Sequence, residues 1–122
     1  MHPREHMPVV SVVTPSFNQG DFIAATLESV RTQDYPYIEH IIQDAGSTDT
    51  THTVLAQSAA HAQVYIEPDV GQADAIMRGW QRTRGDIIAW LNSDDLYHPG
   101  TISAAVAYLR SHPECAMVYG AA

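Results

Sequence analysis

The chain has 122 residues, and 45% of them are hydrophobic, which fits one globular domain and excludes a disordered protein. Its 14 acidic residues outnumber 6 basic ones, all of them arginine, and the formal net charge is −8. Because nucleic-acid binding needs clustered positive charge, this balance argues against a nucleic-acid partner.

Strand-like and helix-like segments alternate along the chain. A β-branched run predicts a strand over residues 9–14, and apolar residues at helical spacing predict a helix over 21–32. The elements that follow in chain order are a strand at 38–43, a helix capped at 47–49 and running to about 60, a strand at 64–67, a helix at 71–83, a strand at 87–91, a helix from 99 to about 111 and a strand at 116–119.

This alternation, with continuous apolar strands, predicts an α/β fold with a mostly parallel sheet covered by helices on both faces. We expect residues 1–7 to be frayed or disordered and residues 8–122 to form one domain. No apolar run approaches the roughly 20 residues that cross a bilayer, and the N-terminus lacks the apolar core of a signal peptide. The single cysteine, Cys115, excludes an internal disulfide, so we expect a cytoplasmic location.

Polar residues gather where the predicted strands end. In a doubly wound sheet, ligands bind beyond the carboxyl ends of the strands. Asp94 and Asp95 follow the strand at 87–91, and two adjacent carboxylates repel each other unless a positive group lies beside them. A divalent cation with oxygen ligands is the simplest compensation, and it would let an acidic chain bind an anionic ligand. A solvated helix cap before Pro99 is the structural alternative.

Several nucleotide and hydrolase motifs are missing. No G-x-G-x-x-G follows the first predicted strand, and no G-x-S-x-G is present. The absence of lysine excludes a P-loop.

Five segments between residues 10 and 100 stand in a specific order and carry a resemblance that covers about residues 8–119: VSVVTPSFNQGDFI, QDAGSTDTT, EPDVGQADAIMRGW, TRGDIIAW and LNSDDLYHPG. Together they resemble the nucleotide-sugar-binding half of a family 2 glycosyltransferase of the GT-A fold. The resemblance implies a Rossmann-like half of that fold over residues 8–122, with the acceptor half absent.

The resemblance also implies a set of site residues. Those expected to bind the nucleotide-sugar are Pro15, Ser16, Phe17, Asn18, Asp44, Gly46, Ser47, Asp74, Arg78 and Asp94. Within this set, Asp44 would contact uracil or ribose, and Arg78 would be the cation for a phosphate. Asp95, with Asp94 beside it, would hold Mn²⁺ or Mg²⁺ against the diphosphate.

Two positions depart from the commonest family pattern. Ala45 stands where many members have a second Asp, and Asn92 stands where many have the first Asp of D-x-D-D. The first departure weakens the inference about the base.

The resemblance implies metal-dependent transfer of a sugar, with inversion, from a nucleotide-sugar such as a UDP-sugar to a sugar, lipid or protein acceptor. The general base is expected beyond residue 122, so we expect this chain alone to be inactive. Two alternatives stay open: a non-catalytic nucleotide- or metal-binding module, and a structural domain that forms homo-oligomers through a sheet edge. Association with the inner face of the membrane through regions beyond this chain also stays open.

Overall fold

The computed structural model describes residues 7–112 of the chain. The predicted strand at 116–119, Cys115 and all but the last residue of the predicted frayed segment lie outside the described residues.

Strands and helices alternate through the whole of that range, as the sequence predicts. In chain order they are β1 (Val10–Ser16), α1 (Ile23–Arg31), β2 (Ile38–Asp44), α2 (Thr51–Ser58), β3 (Gln63–Ile66), α3 (Gln72–Gln81), β4 (Ile87–Trp90) and α4 (Thr101–Ser111). None of the described helices is both long and apolar enough to span a membrane.

The strands form a parallel sheet in the order β3-β2-β1-β4. The chain therefore moves outward from β1 to β2 to β3 and then returns to place β4 on the other side of β1. The direction of winding reverses between β1 and β4, and this reversal opens a crevice at their carboxyl ends, where ligands of such sheets bind.

Helices cover both faces of the sheet. On one face, Val12 lies in a buried cluster with Val30 of α1 and Ile102 of α4, and a second cluster joins Ile42 to Leu55 of α2. On the other face, α3 packs so closely against β1 that a Cβ on Gly79 would clash with Val13. The α/β architecture expected from the sequence is confirmed.

Pro15 lies inside β1, although its lack of an N–H suggested that the strand would end before it. Val13 accepts a hydrogen bond from Leu91 on the β4 side, and Ser16 accepts one from Ala45 on the β2 side. Because successive residues of a strand point their amides to opposite sides, Pro15 faces the β4 side. The β1–β4 ladder has already ended at Val13, so no hydrogen bond is lost there.

Candidate functional site

Two loops dock against each other at the carboxyl ends of β1 and β2. Asn18, which has a left-handed φ of 53°, accepts hydrogen bonds at Oδ1 from the amides of Thr48 (2.8 Å) and Asp49 (3.3 Å). Its own amide donates to Ser47 Oγ at 2.9 Å, and the amide of Gly20 donates to Asp49 at 3.1 Å. These bonds fix the loop that follows β1 on the loop that follows β2. We call the two segments, residues 17–20 and 44–51, the docked loops.

Asp44 organises the docked loops from within. Its side chain is fully buried and accepts hydrogen bonds from the amides of Gly46 (3.0 Å) and Ser47 (2.9 Å), from Ser47 Oγ (2.6 Å) and from His52 Nε2 (2.9 Å). Burial alone would raise the pKa of Asp44, but the hydrogen bonds from Ser47 and His52 outweigh it and keep the pKa below its usual value. Asp44 is therefore an ionised residue that shapes the loop.

The docking also shortens α2. Residues 47–49 were predicted to cap that helix, but Ser47 is bonded to Asp44, and α2 begins at Thr51. Asp49 does stabilise the start of α2, because its carboxylate accepts a hydrogen bond from the Thr51 amide at 2.9 Å.

The structure brings together most of the residues predicted to line the nucleotide pocket. Pro15 and Ser16 end β1, and Gly46 and Ser47 follow β2. In these loops the large exposed side chain is Phe17, which is 55% exposed. A direct contact of Asp44 with a base or ribose stays a prediction, as do the binding roles of the others.

Asp74 and Arg78 lie one turn apart on α3, as predicted, and they bind each other. Arg78 Nε donates to Asp74 Oδ2 at 3.0 Å, and a second guanidinium nitrogen lies 3.7 Å from Glu67. Asp74 also accepts the Val70 amide at 3.0 Å, and this bond and the Arg78 bond lower the pKa of Asp74. The charge of Arg78 is thus balanced by two carboxylates, and its contact with a phosphate stays a prediction.

The predicted metal ligands lie in a β-turn that follows β4, which we call the acidic turn (residues 92–95). The Asp95 amide donates to the Asn92 carbonyl at 3.0 Å and closes the turn. Leu91, just before it, donates to Val13 of β1 at 2.9 Å. The acidic turn therefore stands at the crevice between β1 and β4, where the strand order predicts a ligand.

The two carboxylates of the acidic turn differ in their surroundings. Asp94 is exposed and makes no hydrogen bond within residues 7–112, whereas Asp95 is half-buried and accepts Asn92 Nδ2 at 3.3 Å. Asn92 is held in turn by the side-chain amide of Gln72 at the start of α3. Asn92, which the sequence showed only as a departure from the family pattern, thus orients Asp95.

The donor set fits a hard cation that is shared with a ligand. In the described part of the chain, no three Asp, Glu, His or Cys side chains group into a ready-made metal site. Two adjacent carboxylates suit Mg²⁺ or Mn²⁺, which bind proteins through one or two carboxylates and complete their shell with water and phosphate oxygens.

Comparison with known families gives a consistent result. A family model described as glycosyl transferase family 2 matches residues 11–121. Over 107 residues the chain is 36% identical to a Bacillus subtilis (strain 168) protein named as a teichuronic acid biosynthesis glycosyltransferase, TuaG; the match covers 84% of this chain and 42% of that protein. It is also 36% identical over 116 residues to an uncharacterized glycosyltransferase of Mycobacterium tuberculosis H37Rv, Rv1514c, with 93% of this chain and 44% of that protein covered. The chain thus spans less than half the length of these two curated relatives.

Two solved structures have the same fold. A mannosyltransferase of Pyrobaculum calidifontis, PcManGT, solved with GDP-Man and Mn²⁺, matches with a TM-score of 0.78 and 27% identity, over 84% of this chain and 32% of that one. A glucosyl-3-phosphoglycerate synthase of Mycobacterium tuberculosis, solved with Mn²⁺, UDP and glucosyl-3-phosphoglycerate, matches with a TM-score of 0.71 and 29% identity, over 86% of this chain and 40% of that one.

Proposed function

The chain belongs to glycosyl transferase family 2, and from that premise we propose that it forms the donor-binding half of a metal-dependent sugar transferase. The donor is a nucleoside-diphosphate sugar, with a UDP-sugar as the first candidate. In the transfer, an acceptor hydroxyl oxygen bonds to the anomeric carbon while the bond from that carbon to the diphosphate oxygen breaks, with inversion. The acceptor proton passes to a general base outside this donor-binding half.

The acidic turn carries this proposal. It places two carboxylates at the crevice between β1 and β4, and one of them, Asp94, is exposed and without a hydrogen bond among residues 7–112. A surface of excess negative charge at a ligand-binding position calls for a cation, and a diphosphate ligand would complete the shell of that cation.

Asp95 and Asp94 of the acidic turn would have different roles in binding the cation and the donor. Asp95 would be the metal ligand, because Asn92 holds it in place at one oxygen and leaves the other oxygen for coordination. Asp94 would lie beside it, as a second ligand or against the ribose or the sugar. A bound Mn²⁺ or Mg²⁺ supplies positive charge that stabilises the diphosphate as a leaving group.

The docked loops would hold the nucleoside. Phe17 offers an exposed aromatic face for a base, and the internal hydrogen bonds of Asn18 and Asp44 keep the loop backbone in one shape. A loop that is fixed before the ligand arrives loses less conformational entropy when the ligand binds. Arg78 would reach the phosphates once its ion pairs with Asp74 and Glu67 are exchanged.

The test is a calorimetric titration of UDP, and of GDP for comparison, into the chain with Mn²⁺ and then with EDTA. We expect binding that needs Mn²⁺ and that falls by about a hundredfold or more in Asp95→Asn, since a hundredfold loss corresponds to about 2.7 kcal/mol, the scale of a lost charged ligand. Asp86→Asn, which removes an exposed acid at the amino end of β4, opposite the edge that carries the acidic turn, is the charge-matched control.

The other outcomes discriminate between the alternatives. Binding that persists in EDTA would contradict the metal dependence and leave a nucleotide-binding module. No heat with either nucleotide, together with a molecular mass that rises with concentration, would favour a structural domain that self-associates.

A further inference from the structure

Helix α1 carries a polar residue in the middle of its buried stripe. Ile23, Leu27 and Val30 form the apolar side of this stripe, and Thr26, which lies between them, is also fully buried. A buried hydroxyl at a core position costs free energy unless it is hydrogen-bonded, so its partners indicate what it does.

The partners of Thr26 belong to the acidic turn. Thr26 Oγ1 lies 2.9 Å from the carbonyl oxygen of Ser93 and 2.7 Å from that of Asp95, and 3.4 Å from the carbonyl of Phe22 in its own helix. A threonine hydroxyl has one hydrogen to donate, so the two short contacts share it. The hydroxyl therefore holds together the two carbonyls that flank Asp94.

The same face of α1 continues this contact toward α4. Ser29 Oγ accepts the Tyr97 amide at 3.2 Å, and Gln33 donates to the His98 carbonyl at 2.9 Å. Gln33 Oε1 also accepts the Ile102 amide at 3.1 Å in the first turn of α4. The N-cap residue of this helix is Gly100, which has no side chain that could accept such an amide. We call Thr26, Ser29 and Gln33 the α1 brace.

We propose that Thr26 is a positioning residue that holds the backbone of the acidic turn in the shape needed to bind a divalent cation. Asp94 and Asp95 repel each other, so without a restraint the turn would relax to separate them. The buried hydroxyl fixes the carbonyls of Ser93 and Asp95, and Ser29 and Gln33 anchor the chain that follows. This inference rests on the proposed function, because it concerns the same cation site.

The test compares two variants at Thr26 with a matched control. Thr26→Val keeps the shape and removes the hydroxyl, whereas Thr26→Ser keeps the hydroxyl. Thr14→Val removes another fully buried hydroxyl, one that lies 2.7 Å from His40 Nε2, and is not part of the brace. Mn²⁺ affinity in the presence of UDP is read from the electron paramagnetic resonance of free Mn²⁺.

We expect Thr26→Val to weaken Mn²⁺ binding roughly tenfold or more, in the range seen when a group that orients a metal ligand is lost. Thr26→Ser should stay near the wild type, and so should Thr14→Val even though its stability falls. Equal affinity in Thr26→Val and wild type would overturn the proposal, as would an equal loss in Thr26→Ser or in Thr14→Val.

Hydrogen exchange of the Asp95 and Tyr97 amides provides a second readout that needs no ligand. Faster exchange of these amides in Thr26→Val, but not in Thr14→Val, supports the brace, and unchanged exchange overturns it.

If the wild type fails to bind Mn²⁺ with either nucleotide, the proposed function fails and the brace is judged by exchange alone. If Thr26→Val does not fold, Ser29→Ala takes its place: faster Tyr97 exchange with weaker Mn²⁺ binding supports the brace, and no change in both overturns it.

Discussion

The docked loops and the acidic turn lie along the same edge of the sheet but use their carboxylates in opposite ways. Asp44 is fully buried and accepts hydrogen bonds from four donor groups of Gly46, Ser47 and His52. Asp94 is exposed and makes no hydrogen bond within residues 7–112. The first carboxylate is satisfied by the protein, and the second is left to the solvent or to a ligand.

This difference shows that the burial of a carboxylate decides its role in the fold. A buried charge is tolerated only when donors surround it, so Asp44 serves stability and loop shape. An exposed charge costs little in water, so Asp94 is tolerated without a hydrogen-bond partner among residues 7–112. Three predictions, taken from the largest expected effect to the smallest, test how the buried and loop-holding polar groups contribute to stability.

Asp44→Asn and Asp94→Asn should show the largest difference between the two regions in their effect on the free energy of unfolding. In Asp44→Asn, the amide that replaces the carboxylate removes the charge and turns an NH₂ toward groups that donate, which should lower the free energy of unfolding by about 3–4 kcal/mol. Asp94→Asn, the same substitution in the acidic turn, should change it by less than about 0.5 kcal/mol. Urea unfolding of both variants measures the difference, and equal midpoints would refute the contrast.

A pH titration should reveal a second buried titratable group, His40, which lies within β2 and pairs with Val12 of β1. Burial lowers the pKa of His40 to about 4, and its Nε2 lies 2.7 Å from Thr14 Oγ1. Its pKa in the unfolded chain is about 6.5, so between these values the unfolded state binds the proton and the folded state does not. Stability should therefore fall as the pH drops from 6.5 to 4, by up to about 3 kcal/mol.

The unfolding free energy of the wild type and of His40→Gln, measured across this range, checks the assignment. Glutamine can keep a bond to Thr14 but does not titrate, so its profile should be flatter over the interval. Parallel profiles would assign the acid sensitivity to another group.

Asn18→Gly should have the smallest effect and shows how the docked loops are held. Glycine tolerates the left-handed φ of 53°, so the substitution removes only the side-chain acceptor for Thr48 and Asp49 at an expected cost of about 1 kcal/mol. Asn18→Ala loses the same acceptor and adds backbone strain, so its thermal midpoint should lie below that of Asn18→Gly. A reversed order would show that backbone conformation contributes little to the docking.

The sequence predicted the layout of the described chain well. The alternating strands and helices, the parallel sheet and the family are confirmed. The observed bounds of an element differ from the predicted ones where a polar loop bonds residues that were expected to cap a helix. Helix α2, for example, begins at Thr51 because Ser47 is bonded to Asp44. Pro15 extends β1 because the neighbouring ladder has already ended.

The sequence predicted which polar loops lie at the carboxyl edge of the sheet, but it missed residues that hold those loops in place. Asn92 was recognised only as a departure from a motif, although it bonds to Asp95. Thr26 had one visible signal, a hydroxyl at a core position of an amphipathic helix, but that signal does not name its partners.

The sequence by itself determined the element order and the edge of the sheet where polar loops gather, because hydrophobic periodicity and strand direction are local properties. Only the tertiary structure decided which polar groups are already satisfied there. Asn18 meets Thr48 across 30 positions of the chain, and Thr26 meets Asp95 across 69. Such pairings depend on how whole elements dock, and no local pattern encodes a hydrogen bond between groups that only packing brings together.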